Sequence, residues 1–301
     1  MASAREMRMR IRSVDNIAQV TRALEAVSAS RVRKAEARVM QTRPYADKAW
    51  QVLRHLSRQP AREFIHPFMT LRETINHILV VLISGDRGLA GAYNTNVIRY
   101  AMHMFSDAPV DVSYIAVGRK GRDMLYRRRK NILAEFSHLP AEPTFSDVSA
   151  IGQVVMADYL EGKVDQVILV YTDFINLLRQ EPSHKQLLPL TFEELPLGSE
   201  SPAVPIKQSD GGPEPTYIYE PSQQELINSI VPRLTGLQIF QAITESLASE
   251  HAARMVAMRN ATDNAMELSG ALRLEYNKAR QQAITSDMLD IAGGAEALSQ
   301  A

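Results

Sequence analysis

The segment with the most obvious chemical potential is Ser84 to Asn94, SGDRGLAGAYN. It follows an apolar run and precedes a helical pattern, the setting in which backbone N–H groups and a helix N-terminus can hold a phosphate. Its glycines, Gly85, Gly88 and Gly91, are spaced G-x-x-G-x-x-G. That matches neither the dinucleotide fingerprint nor the phosphate loop ending in Lys-Ser or Lys-Thr. Gly162-Lys163 fails too, because Val164 follows. The spacing therefore favours a tight strand-to-helix turn built from small residues, with a ligand loop as the competing reading.

Metal and nucleophile chemistry find less support. The seven histidines, at 55, 66, 77, 103, 138, 184 and 251, form no H-E-x-x-H or other ligand spacing. With no cysteine in the chain, disulfides, thiolate zinc sites and thiol switching are excluded. No Ser-His-Asp or paired-carboxylate arrangement stands out, although such sites are defined by geometry rather than by sequence position. Asn260-Ala261-Thr262 has the form of a glycosylation acceptor, but it falls inside a helical pattern and is discounted. No catalytic residue, cofactor or metal is assigned.

Charge is balanced, with 34 basic and 34 acidic side chains, so no general attraction to nucleic acid or an anionic membrane is expected. Basic residues nevertheless cluster twice. Arg5 to Arg43 holds ten Arg or Lys against four acids, and a second group comprises Arg119, Lys120, Arg122, Arg127, Arg128, Arg129 and Lys130. Tyr126 is the only aromatic in the second cluster, too few for a base-stacking platform, so a solvated helix face or protein contact is the preferred reading. The longest uninterrupted apolar run, Ile78 to Ile83, suits a buried strand and is far too short to span a membrane. The N-terminus lacks the apolar centre of a signal peptide and reads as mature structure of a bacterial-type cytoplasmic protein.

The elements that must carry these residues fall into two kinds. Ser3 to about Leu56 has helix formers, no glycine and one proline, Pro44, a place for a kink. Met7, Ile11, Val14, Ala18 and Thr21 follow coiled-coil spacing, while a second stripe at Ile17, Val20, Leu24 and Val27 suggests a drifting face. Glu73 to Phe192 alternates strand and helix patterns: strands at 75–83, 110–117, 132–136, 166–171 and 186–192, and helices near 94–105, 119–129 and 147–161. That order predicts an α/β domain with a largely parallel sheet. Leu195 to Pro215 is a breaker-rich loop. Ser222 and Glu225 form a capping-box pattern, Pro232 interrupts or restarts the helix, and Arg233 to Leu298 contains no proline. Here Met255, Met258, Thr262, Ala265, Ser269, Leu272, Tyr276, Ala279 and Ala283 alternate by three and four, a second seam.

Magnitude selects the architecture. The terminal helices would be roughly 80 and 100 Å long, against a radius of gyration of about 19 Å for a compact globule of this size. Paired side by side, they make an antiparallel coiled coil built from opposite chain ends. The domains expected are a coiled-coil helix at 1–60, an α/β domain at 73–194, a flexible loop at 195–221 and a second coiled-coil helix at 222–301.

Three separated segments resemble one family in the same order. MRIRSVDNIAQVTRALEAVSASRVRKAEARV with its following RPYA, SGDRGLAGAYN, and LASEHAARMVAMRNATDNA with YNKARQQAITSDMLDIAGGAEAL are similar to gamma subunits of F-type ATP synthases. The resemblance implies a Rossmann-like α/β domain on an antiparallel coiled coil, acting as a non-catalytic rotor. Its expected partners are the alpha, beta and epsilon subunits and the membrane c-ring, at one copy per complex on the cytoplasmic face of the bacterial plasma membrane. Contacts with the alpha and beta subunits are implied at Leu24, Arg254, Arg280, Gln281 and Thr285. Two positions depart from the family: Asp287 where Glu is common, and Ala90 where many members have Cys. A nucleotide-binding α/β enzyme with helical extensions is the alternative, and a self-assembling coiled-coil scaffold a further rival.

Overall fold

The computed structural model describes residues 4–58, 66–106, 108–190 and 223–299. The loop expected at Leu195 to Pro215 and the Ser222 cap lie outside the described residues. Helix α1 spans Ala4–Arg58 and α5 spans Gln223–Ser299, 55 and 77 residues. Pro44 lies within α1, in keeping with the long helix expected there. Pro232, by contrast, does not interrupt or restart α5. A proline inside a helix costs about 3 kcal/mol. Val231, Leu234 and Ile239 beside it are almost completely buried, and each such side chain contributes about 1.5–3 kcal/mol, enough to hold the helix through the defect.

Contacts divide the chain into two compact units: Met1–Val32 with Leu89–Gly91 and His251–Ala301, and Arg33–Gly88 with Ala92–Glu250. Each long helix contributes to both.

The larger unit contains strands β1 (His77–Ile83), β2 (Asp111–Val117), β3 (Asn131–Phe136), β4 (Gln166–Phe174) and β5 (Gln180–Leu188), with helices α2 (Tyr93–Met104), α3 (Arg119–Arg127) and α4 (Phe145–Leu160). The sheet order is β3-β2-β1-β4-β5. Strands β1 to β4 run parallel, and β5 returns antiparallel beside β4.

Alternation along the strands sorts their side chains into two cores. Ile78, Val80 and Leu82 of β1 join Val97 and Ala101 of α2 and Leu125 of α3 on one face. Leu79, Val81 and Ile83 join Ile151 and Val155 of α4 and Val231, Leu234 and Ile239 of α5 on the other.

Strand β5 begins six residues earlier than the apolar run at 186–192 indicates. Its first half, Gln180 to Lys185, is polar and partly exposed, and Pro182 is tolerated because an edge strand leaves one row of backbone groups unpaired. Helix α3 stops two residues early for a local reason. Arg129 adopts a left-handed φ of 52° and Lys130 N–H donates to the Leu125 carbonyl at 3.1 Å, a Schellman-type stop. Helix α4 begins earlier than expected because Thr144 caps it, its N–H and hydroxyl donating to the Asp147 carboxylate at 2.8 and 2.7 Å.

Candidate functional site

In an open α/β sheet, ligands bind beyond the carboxyl ends of the strands where the strand order reverses. Here that point lies between β1 and β4, beside the Ser84 to Asn94 loop. The loop's polar groups are already engaged within the fold. Arg119 N–H donates to the Asp86 carboxylate at 3.0 Å, Lys120 N–H to the Gly85 carbonyl at 3.1 Å, and Gly121 N–H to Ser84 Oγ at 2.8 Å. Those are the first three amides of α3, the helix after β2, so the neighbouring helix N-terminus is also closed to an anion. Asp86 also accepts from His138 N–H at 2.9 Å, and Asn94 Oδ1 accepts from Gly85 N–H at 2.8 Å.

Two glycines outside the loop make this closure possible. Gly118 has φ of 98°, and a Cβ there would overlap the Ser84 carbonyl oxygen; at Gly121 a Cβ would stand 2.7 Å from Ser84 Oγ. The crevice itself is filled by α5. Ser249 Oγ donates to the Thr172 carbonyl of β4 at 3.2 Å, Ser246 Oγ lies 2.7 Å from Tyr93 OH, and the Glu250 carboxyl group is packed against Gly85. A carboxylate at this position would repel a phosphate. The structural turn is thus the better account of SGDRGLAGAYN.

One arrangement invisible in sequence has the look of a catalytic pair. His77 Nε2 lies 2.7 Å from Ser113 Oγ, which also accepts from Asn131 Nδ2 at 2.9 Å. It sits at the amino ends of β1, β2 and β3, and Ser113 is 1% exposed, beyond reach of a substrate. Its role is to tie three strands. Among the described residues no group of three His, Asp or Glu side chains could hold a metal, and no helix is long and apolar enough to cross a membrane.

In the smaller unit α1 and α5 pair antiparallel. Arg8 donates to Tyr276 OH at 2.8 Å, Asp15 accepts from Ser269 Oγ at 2.6 Å and from Arg273 at 2.9 Å, and Thr21 and Thr262 share a buried hydroxyl contact of 2.7 Å. Met258, Thr262, Ala265 and Ser269 are buried, as the three-four alternation requires. The drift expected on α1 does not occur. Ala18, Thr21, Ser28 and Val32 continue one seam, and Ile17, Val20 and Val27 are exposed. Small polar residues can occupy the seam because Thr21 and Ser28 hydroxyls donate to carbonyls one turn back, of Ile17 at 3.0 Å and Leu24 at 2.7 Å.

The five implied contact residues are not brought together. Leu24 and Arg254 are half-buried in the coiled coil, and Arg254 Nη1 lies 3.4 Å from His251 Nδ1. Burial, reinforced by the Arg254 and Arg31 charges, holds His251 down to about 4, so the ring is neutral and can accept. Arg280, Gln281 and Thr285 are exposed, Thr285 Oγ1 donating to the Gln281 carbonyl at 2.9 Å. Since each step along α1 is matched by one back along α5, Ala4 falls opposite about residue 280. Beyond it, Ile284, Met288, Leu289 and Ile291 are apolar and exposed.

An α/β domain whose ligand crevice is closed by its own helix, in a chain whose ends form a long coiled coil, defines a mechanical class of protein rather than a nucleotide enzyme. The comparisons make this specific. Residues 3–298 match the ATP synthase family. The ATP synthase gamma chain of Dehalococcoides mccartyi is 42% identical over 300 residues, 99% of this chain and 100% of the relative. That of Roseiflexus castenholzii is 41% identical over 303 residues, covering both chains fully. A chain of the Euglena gracilis mitochondrial ATP synthase in rotational state 3 shares the fold with a TM-score of 0.66 at 21% identity, covering 98% of this chain and 94% of that one. The chain belongs to the ATP synthase gamma family, the non-catalytic central-stalk rotor subunits of that complex.

Proposed function

We propose that this chain works as the shaft between the c-ring and the alpha and beta subunits of a proton-transporting ATP synthase, at one copy per complex, with the epsilon subunit bound alongside. Proton-driven rotation reaches the beta subunits through it, and hydrolysis drives it in reverse. The observation that carries this reading is the end of α5, where four large apolar side chains stand exposed beyond the point opposite Ala4, the first described residue of α1. Such a surface calls for a surrounding partner.

In this proposal 1–60 and 222–301 form the shaft, 73–194 is the domain that receives torque, and 195–221 joins them. Leu24, Arg254, Arg280, Gln281 and Thr285 meet the alpha and beta subunits. Arg280 supplies a permanent charge with several directed donors, suited to acidic loops that engage and release in turn. Kinship with bacterial gamma chains supports a peripheral position on the cytoplasmic face of the plasma membrane.

Co-expression with alpha and beta subunits tests the proposal. The chain should co-purify at one copy per three of each. Arg280→Ala with Gln281→Ala should weaken assembly or coupled ATPase activity while the isolated chain keeps its unfolding midpoint, because exposed substitutions shift stability by only about 0.5 kcal/mol. Failure to co-purify removes the proposal, and full coupled activity in the double variant removes the contact assignment.

A further inference from the structure

Helix α5 is held to the sheet in two different ways. From Val231 to Ile243 its contacts are apolar, with Val231, Leu234, Ile239 and Ile243 in the core shared with α4. From Ser246 they become directed. Ser246 Oγ meets Tyr93 OH at 2.7 Å, Ser249 Oγ donates to the Thr172 carbonyl at 3.2 Å, and the Glu250 carboxyl group lies where a Cβ on Gly85 would come within 2.9 Å of it. Ser246, Ser249 and Glu250 are spaced i, i+3 and i+4, one face of the helix. All three are buried. Their partners belong to three different elements: the first turn of α2, strand β4, and the loop after β1.

We propose that Ser246, Ser249 and Glu250, with Tyr93, Thr172 and Gly85, form a torsional clamp through which the α/β domain turns α5. This rests on the rotor reading. The buried apolar face of α5 already opposes rotation, because turning it away from the core would expose it to water, but such packing is non-directional and tolerates small angular slips. Hydrogen bonds constrain angle as well as distance, so the two serine ties, to α2 and β4, add directed resistance to that rotation, and the Glu250 carboxyl group packed against Gly85 adds a steric stop. Serine suits the task because its single side-chain torsion leaves little slack between the α5 backbone and its partner. The clamp also sits at the last possible place. Glu250 is the final residue of the α/β unit, and His251 begins the coiled-coil unit.

The test uses the assembled complex with the alpha and beta subunits immobilised and a rotation probe on the α/β domain. Angular fluctuation of the probe during a catalytic pause reports torsional stiffness. Ser246→Ala with Ser249→Ala should raise the variance about twofold at an unchanged rate of ATP hydrolysis. Tyr93→Phe should raise it less, and Ser249→Thr, which retains the hydroxyl, should restore part of the stiffness lost in Ser249→Ala. A purely structural role predicts a lower unfolding midpoint with unchanged variance, and that result overturns the clamp. Absence of rotation with the unaltered chain would instead remove the rotor reading, and the clamp with it.

Discussion

His251 is the titratable side chain whose surroundings alter it most clearly. Its folded value of about 4 lies below the ordinary 6.5, so the unfolded chain takes up the proton first as pH falls. The stability gained by keeping it neutral is complete above about pH 6.5 and is lost progressively toward pH 4. Between about pH 7.5 and pH 5 the loss amounts to about 2 kcal/mol. Urea unfolding of the full chain should show it, and His251→Gln should flatten that part of the pH profile. Across the seam, one of the Thr21 and Thr262 hydroxyls donates to the other, whose own proton goes to a carbonyl of its own helix. Either Thr→Val change should cost about 1 kcal/mol, and the double variant less than the sum, since no hydroxyl is then left in the seam without its partner. A double-mutant cycle measures this coupling. The seam positions on α5 were legible from spacing alone. The hydrogen bonds were not, because they join residues more than 240 positions apart.

At the scale of elements, the loop after β1 and the start of α3 form one unit. Ser84→Ala leaves the Gly121 amide without its acceptor and should cost about 1–3 kcal/mol. Gly118→Ala meets both a left-handed φ and the Ser84 carbonyl, so its thermal unfolding should show a loss of about 3 kcal/mol or more. Unchanged midpoints in both variants would contradict the closed-loop account. The core strands were legible because their alternating apolar residues serve cores on both faces. Strand β5 was half-legible, since Gln180 to Lys185 takes its strand form from pairing with β4 rather than from an apolar pattern of its own. Pro232 misled for a related reason: its local cost is visible in sequence, whereas the burial that offsets it is tertiary.

For the whole molecule, the decisive question is what occupies the crevice beside β1 and β4. With Ser249 and Glu250 of α5 there, and the first α3 amides engaged, the isolated chain should show no micromolar binding of ATP or dinucleotides in calorimetry. Clear binding would reopen the enzyme alternative. Two long helices around a largely parallel α/β domain follow from sequence by itself, because periodicity and the scarcity of helix breakers are local properties. The glycine spacing could argue against a phosphate loop without saying what the loop does instead. Only the tertiary structure decided that α5 closes the crevice and that one seam of α1 is buried while its neighbour stays exposed. Those outcomes depend on contacts between distant segments, which no local pattern encodes. Thus SGDRGLAGAYN, the segment most suggestive of ligand chemistry, became part of the attachment of α5 to the sheet.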